Sequence, residues 1–239
     1  VDVVDHRRRF VGRGFFNPRS QIRVRLLSWN PDQSVDAPFL QRRIAKALAL
    51  RQLSGVAEQS SARRVIHGEN DGLPGLVVDD FAGFAVIQIH TQGMENLREL
   101  LLDTLQEQLR PVGIFERSDV GTRRAEGMGD RPTGVCRGEA PPQFVEIIEG
   151  KVRLFVDIYG GQKTGFFLDQ RDNRLMLQRL CEGKDVLDCF SYSCGYSAHA
   201  LRGGARRAVN IDVSAAAFDS GRRNLEHNCP PGSSYHMVR

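Results

Sequence analysis

The 239-residue chain contains no apolar run near the roughly 18 residues that cross a bilayer. A membrane-spanning helix is therefore not expected. A secretory leader is not expected, because the sequence opens on a polar, arginine-rich stretch instead of a short charged start followed by an apolar block. It has no Cys-x-x-Cys pair, and its cysteines, Cys136, Cys181, Cys189, Cys194 and Cys229, are odd in number. That argues against a disulfide framework and against a cysteine-rich zinc site, so no metal is expected. Only four lysines stand beside 29 arginines, and the first residue is Val1 instead of methionine. The remaining composition, 41% hydrophobic and 26% charged, is that of a soluble globular protein, placed in the cytoplasm.

The net charge of +4 is unevenly spread. Residues 1–28 hold seven arginines (Arg7, Arg8, Arg9, Arg13, Arg19, Arg23, Arg25) against Asp2 and Asp5, a net +5. The other 211 residues therefore sum to −1. A basic cluster of this kind is the footprint of a polyanionic partner.

Alternation in the first 28 residues predicts short strands at Val1–Asp5, Phe10–Phe16 and Ile22–Leu27. Such a piece is too small to fold alone and reads as the end of a small β-barrel. A helix is expected over 36–53, with Asp36 as N-cap and Gly55 beyond its end. Next come strands at Arg64–His67, Leu76–Asp80 and Phe84–His90, a helix at Glu95–Leu109 and a strand at Ile114–Arg117. Residues 119–143, rich in Gly, Arg and Pro, read as one long loop. A hairpin is expected around Gly150, pairing Phe144–Glu149 with Lys151–Ile158.

From residue 169 the order is helix, strand, helix, strand, helix: Asp169–Cys181, Asp185–Phe190, Tyr196–Arg202, Ala208–Asp212, Ala215–Asn228. This alternation implies parallel strands with crossover helices. In such sheets ligands sit at the carboxyl ends of the strands. Here one strand runs through Asp188 into the loop Phe190-Ser191-Tyr192-Ser193-Cys194-Gly195, and the next ends in Asp212-Val213. An ionised aspartate at that place can accept from both hydroxyls of a ribose. The loop lacks Gly-x-Gly-x-x-Gly, the pattern that cradles a pyrophosphate. Keeping the acid while losing the phosphate cradle favours S-adenosylmethionine over a nicotinamide dinucleotide. In Lys163-Thr164-Gly165-Phe166-Phe167-Leu168-Asp169-Gln170-Arg171, Asp169 can cap the following helix. Alternatively, Asp169 with Arg171 could hold a zwitterionic ligand head.

These residues resemble the bacterial large-subunit ribosomal RNA cytosine-5 methyltransferase family. The likeness rests on Lys163–Arg174, Val186–Ser197, Gly68-Glu69-x-Asp71-Gly72-Leu73-Pro74-Gly75, Ser20-Gln21-Ile22-Arg23 and Arg117-Ser118-Asp119-Val120. The resemblance implies an α/β fold. A Rossmann-like class I methyltransferase domain, incomplete here, would follow a small α+β domain and the end of a PUA-type barrel. The expected boundaries are 1–30, 31–145 and 146–239. It also implies S-adenosylmethionine as cofactor and ribosomal RNA as partner. The seven N-terminal arginines would meet RNA. Phe167, Asp169, Arg171, Asp188, Phe190, Ser191, Tyr192, Ser193, Gly195, Asp212 and Val213 would bind the cofactor.

In this family's chemistry a cysteine thiolate adds to the cytosine ring. That cysteine and the family's Pro-Pro motif are expected beyond Arg239, so the chain reads as cut at both ends. On that reading it would be poorly stable at its C-terminus and inactive alone. Asn228-Cys229-Pro230-Pro231 comes too early in the fold to be the motif, and Cys189 and Cys194 belong to the cofactor loop. Cys194 stands where the family has glycine, which could weaken cofactor binding. Two alternatives remain open at this point: a non-catalytic RNA-binding fragment and a nicotinamide oxidoreductase.

Overall fold

The computed structural model describes every residue from Val1 to Arg239 except Val120, so that last position of the Arg117–Val120 string lies outside the described residues. The chain divides into two compact units. One comprises 1–56 and 64–140, the other 57–63 and 141–239.

The first unit opens with three antiparallel strands, β1 (Asp2–Val4), β2 (Phe10–Phe16) and β3 (Val24–Ser28), in the order β1-β2-β3. Helix α1 (Ala37–Leu53) starts where expected: the Asp36 carboxylate accepts the Phe39 N–H at 2.9 Å. Its apolar stripe, Phe39, Leu40, Ile44 and Ala47, is buried. The short helix α2 (Val56–Gln59) then leads to β4 (Ala62–His67). Strands β5 (Leu76–Phe81) and β6 (Phe84–Ile89) follow, and Asp80 accepts the Gly83 N–H in the turn between them.

The helix expected over Glu95–Leu109 is two helices, α3 (Gln92–Glu95) and α4 (Arg98–Leu109). Thr91 caps α3, its hydroxyl accepting the Met94 N–H, and the ladder breaks at Asn96-Leu97. Strand β7 (Gly113–Glu116) then pairs parallel with β6.

The long loop expected over 119–143 is corrected. It holds a helical turn, α5 (Thr122–Ala125), and a strand, β8 (Gly134–Gly138), antiparallel to β7. Only Val135 and Cys136 there are apolar, and a short edge strand needs few apolar side chains. The five-stranded sheet runs β4-β5-β6-β7-β8. Its core includes Val65, Ile66, Val78, Ile87 and Ile89, packed with Leu101, Leu102 and Leu105 of α4.

The second unit contains the expected hairpin, β9 (Phe144–Glu149) and β10 (Val152–Asp157), turning at Gly150 with φ +59°. Beyond it the expected alternation holds: α6 (Arg171–Gln178), β11 (Asp185–Cys189), α7 (Gly195–Arg202), β12 (Arg207–Ile211) and α8 (Ala215–Asn228). Residues 168–170 form a 3₁₀ turn ahead of α6.

The expected alternation ends at α8, but one further strand follows it. Ser234–Val238 forms β13, parallel to β12 from Arg207↔Ser234 to Ile211↔Val238. The sheet is therefore β11-β12-β13 with β12 in the middle. Helix α8 is pegged to β10 by two asparagines. Asn224 accepts the Phe155 N–H at 2.7 Å, and Asn228 donates to the Arg153 carbonyl at 2.6 Å.

Candidate cofactor site

The carboxyl ends of β11 and β12 face a cavity of about 500 Å³. Asp212, just past β12, is fixed by two backbone donors: Tyr192 N–H at 2.8 Å and Ser214 N–H at 2.9 Å. Those bonds tie the loop after β11 to the loop after β12. Each carboxylate oxygen keeps a further lone-pair direction. The loop after β11 is tightly wound, with Phe190, Tyr192 and Cys194 all at positive φ. At Gly195 a Cβ would reach within 3.3 Å of the Phe166 ring, so glycine leaves the cavity wall open.

Two apolar side chains at the cavity stand almost fully in solvent: Phe190 at 91% and Val213 at 87% exposed. Large apolar groups held out in this way, beside a cavity, mark a surface that a ligand covers. An acid with spare acceptor capacity set among apolar surfaces fits a nucleoside: hydroxyls for Asp212, a flat ring for the apolar groups. The residues thus suit the group that the sequence implied.

Of the residues expected to bind a cofactor, Phe167, Phe190, Ser191, Tyr192, Ser193, Gly195, Asp212 and Val213 line this cavity. Asp169, Arg171 and Asp188 are not among its lining residues. Asp169 pairs with Lys163 Nζ at 3.0 Å and does not cap α6, whose N-cap is Gln170 with no capping side-chain bond. Arg171 pairs with its neighbour Asp172 at 2.9 Å. Asp188 accepts the Ser197 hydroxyl at 3.1 Å, tying β11 to α7. Burial, joined by the charge of Asp212, pushes its carboxyl up against the bonds from Ser197.

Cys194 is fully buried in a cluster with Leu201, Ala208 and Leu225 and is not a lining residue. Its side chain therefore fills the core under α8 and does not intrude on the cavity. Its thiol is pushed up to about 12, first by burial, and that of Cys136 to about 11, again by burial first. Both are neutral thiols at neutral pH, hence poor nucleophiles.

The sequence reading missed the group that holds this wall in place. Arg174 lines the cavity but is itself only 2% exposed. Its guanidinium makes two bonds to Glu149, at 2.6 and 2.8 Å, and donates to the Phe167 carbonyl at 3.0 Å. It also stacks 4.5 Å from the Phe166 ring. Buried His199 places Nε2 3.0 Å from the same carboxylate, with Gln178 on its other nitrogen. Burial pushes Glu149 up, but the bonds and charges of Arg174 and His199 outweigh it and bring it down to about 2. Arg174 was present in the quoted string, but nothing in sequence spacing pairs it with Glu149, 25 residues earlier. Gln162, Gln170 and Tyr196 also line the cavity, with the Tyr196 hydroxyl donating to Gln170 at 2.6 Å.

The seven arginines of 1–28 divide into two groups. Arg9 pairs with Asp5, Arg13 with Asp2, and Arg25 with Glu69 and Glu126. Arg7 donates to His6, while Arg8, Arg19 and Arg23 are exposed and have no ion pair among the described residues.

Parallel strands joined by crossover helices, with an acid just past the second strand, are in keeping with a class I methyltransferase architecture. A family model described as S-adenosylmethionine-dependent methyltransferase matches residues 63–232, and one described as PUA-like domain matches 1–29. The "Ribosomal RNA large subunit methyltransferase I" of Escherichia coli O139:H28 (strain E24377A / ETEC) is 41% identical over 239 residues, 100% of this chain and 60% of the relative. The Citrobacter koseri protein of the same name gives the same figures. The chain thus spans about 60% of the length of these curated relatives. Among solved structures, a protein from Streptococcus mutans assigned as a SAM-dependent methyltransferase superposes with a TM-score of 0.83 at 20% identity, covering 100% of this chain and 61% of that one. That likeness shows the fold. This chain belongs to the S-adenosylmethionine-dependent methyltransferase family.

Among the described residues, no helix is long and apolar enough to cross a membrane.

Proposed function

We propose that this chain carries the cofactor site and part of the RNA-docking surface of a methyltransferase acting on large-subunit ribosomal RNA, at C5 of a cytosine. The observation that carries the reading is the Asp212 carboxylate, fixed by two backbone N–H groups at the mouth of a cavity flanked by exposed Phe190 and Val213. The name of the 41%-identical relatives supports the RNA class.

S-adenosylmethionine, when bound, supplies the methyl group. The chain's residues bind and orient it. Asp212 takes the ribose hydroxyls. Phe190 and Val213 would offer apolar surface to the nucleoside and exclude water from it. Arg174, locked by Glu149, keeps Phe166 and Phe167 as a firm wall. Residues 1–29, the stretch that matches a PUA-like domain, meet RNA phosphates chiefly through the unpaired Arg8, Arg19 and Arg23. Burial of the Cys136 and Cys194 thiols, which raises both, disfavours either as the attacking nucleophile.

Ultraviolet cross-linking of radiolabelled S-adenosylmethionine, followed by peptide mapping, tests this reading. Label in peptides containing Phe166–Arg174 and Phe190–Tyr196 is expected. Label confined to other peptides of a folded chain would overturn it.

A further inference from the structure

Two separate stretches of the second unit line the cofactor cavity. One follows the parallel strands and carries Asp212 with Phe190 and Val213; the other, within 162–174, carries Gln162, Phe166 and Phe167. Nothing local in the sequence makes one stretch hold its place against the other.

Tyr192 touches both. Its backbone N–H holds the Asp212 carboxylate at 2.8 Å. Its ring stands edge-on to Phe167, with the ring centroids 5.4 Å apart. Its hydroxyl accepts the Gln162 N–H at 2.8 Å and donates to the Gly165 carbonyl at 3.2 Å. Gln162 and Gly165 are the two ends of one turn, which the Gly165 N–H closes on the Gln162 carbonyl at 2.8 Å. The hydroxyl's one proton and one of its acceptor directions are thus spent on this turn. The turn also rests on β10. At Gly165, with φ +132°, a Cβ would come within 2.9 Å of the Val156 side chain and 3.0 Å of the Asp157 carbonyl oxygen.

Tyr192 takes this place at φ +49°, a conformation that suits glycine better. Such strain persists where surrounding contacts over-determine it, and it gathers at ligand clamps. Phenylalanine would supply the same ring and the same backbone N–H. What it would lack is the grip on the turn.

We propose that Tyr192 is a positioning residue: through its hydroxyl it sets the Gln162–Phe167 wall against the Asp212 anchor, so that the two ends of S-adenosylmethionine are recognised together. This rests on the cofactor reading above. Asp212 takes the ribose, so the nucleoside end relies on the first stretch. The rest of the ligand relies on where the second stretch stands.

The test is calorimetric titration of S-adenosylmethionine and of adenosine into the native 239-residue chain, Tyr192→Phe and Tyr159→Phe. The last is a control for losing a hydroxyl, since Tyr159 donates to the Pro141 carbonyl at 2.8 Å and does not line the cavity. Tyr192→Phe should weaken S-adenosylmethionine about tenfold and adenosine less than about twofold. Tyr159→Phe should change neither. Amide hydrogen exchange of the ligand-free chains follows the turn itself. The Gln162 N–H should exchange faster in Tyr192→Phe, with the urea midpoint near that of the native chain.

Equal weakening of both ligands with a lowered urea midpoint would mean a merely structural role. Selective weakening with unchanged Gln162 exchange would mean that the hydroxyl contacts the ligand itself. Either result overturns the proposal. If the native chain and Tyr192→Phe bind S-adenosylmethionine equally, the positioning role falls and the cofactor reading stands. If the folded native chain binds neither ligand, both fall.

Discussion

Glu149 is the residue on which the cofactor wall depends. It is fully buried, and it holds the buried Arg174 and sits against His199. Removing one partner of such a group leaves a bare charge in a dry place, at a cost of about 3–5 kcal/mol. Glu149→Ala should lower the stability of the second unit by that order, read by urea unfolding. The pH dependence has a definite sign. The folded carboxyl lies near 2, below its ordinary 4.5. Its stabilising contribution is therefore complete above about pH 4.5 and is lost as the pH falls toward 2. The native chain should lose stability across that window, and Glu149→Ala should lose less. A parallel loss in both proteins would contradict the assignment.

At the scale of elements, the junction of α7 and α8 is built around Cys194. That residue adopts φ +54°, a conformation in which glycine is the ordinary choice, yet its side chain is fully buried. Space for it comes from Gly221 in α8, where a Cβ would lie 2.7 Å from the sulfur. The pair predicts a change of sign. Gly221→Ala should destabilise the native chain through this clash. In a Cys194→Gly background the same change should stabilise by up to about 1 kcal/mol, because alanine is the better helix former. Thermal melts of the four proteins decide it, and equal shifts in both backgrounds would remove the coupling.

The same scale shows what a single sequence discloses. Helices and strands with strong periods, such as α1, α8 and the hairpin at Gly150, were legible because burial pattern and capping agreed. Strands β8 and β13 were not, because β8 lies in a Gly-, Arg- and Pro-rich stretch with only Val135 and Cys136 apolar, and β13 follows Pro-Pro-Gly, a turn signal that reads as an end. The loop that lines the larger cavity was legible as a loop between strand and helix because the acid and the small residues are local in sequence. Glu149 and His199 were not, because their meeting with Arg174 joins β9, α6 and α7, which only the fold brings together.

At the scale of the molecule, the basic character of residues 1–28 is only partly available to a partner. Arg9, Arg13 and Arg25 already have acidic neighbours. Arg8, Arg19 and Arg23, exposed and unpaired, should supply most of the salt-dependent attraction to RNA. Replacing these three by alanine should flatten the slope of log K against log salt by about two to three. Arg13→Ala should change the slope little. Fluorescence anisotropy over a salt series checks both, and an equal effect of all arginines would contradict the division.

The central claim is that Asp212 anchors the ribose of S-adenosylmethionine in this chain. Isothermal titration of S-adenosylmethionine into the native chain and into Asp212→Ala tests it most directly, with circular dichroism to establish that both are folded. The account predicts saturable binding by the native chain and at least a tenfold loss in the variant, the weight of about 1.4 kcal/mol expected for hydrogen bonds to a charged group. Equal binding by both proteins, or none by a folded native chain, would contradict it.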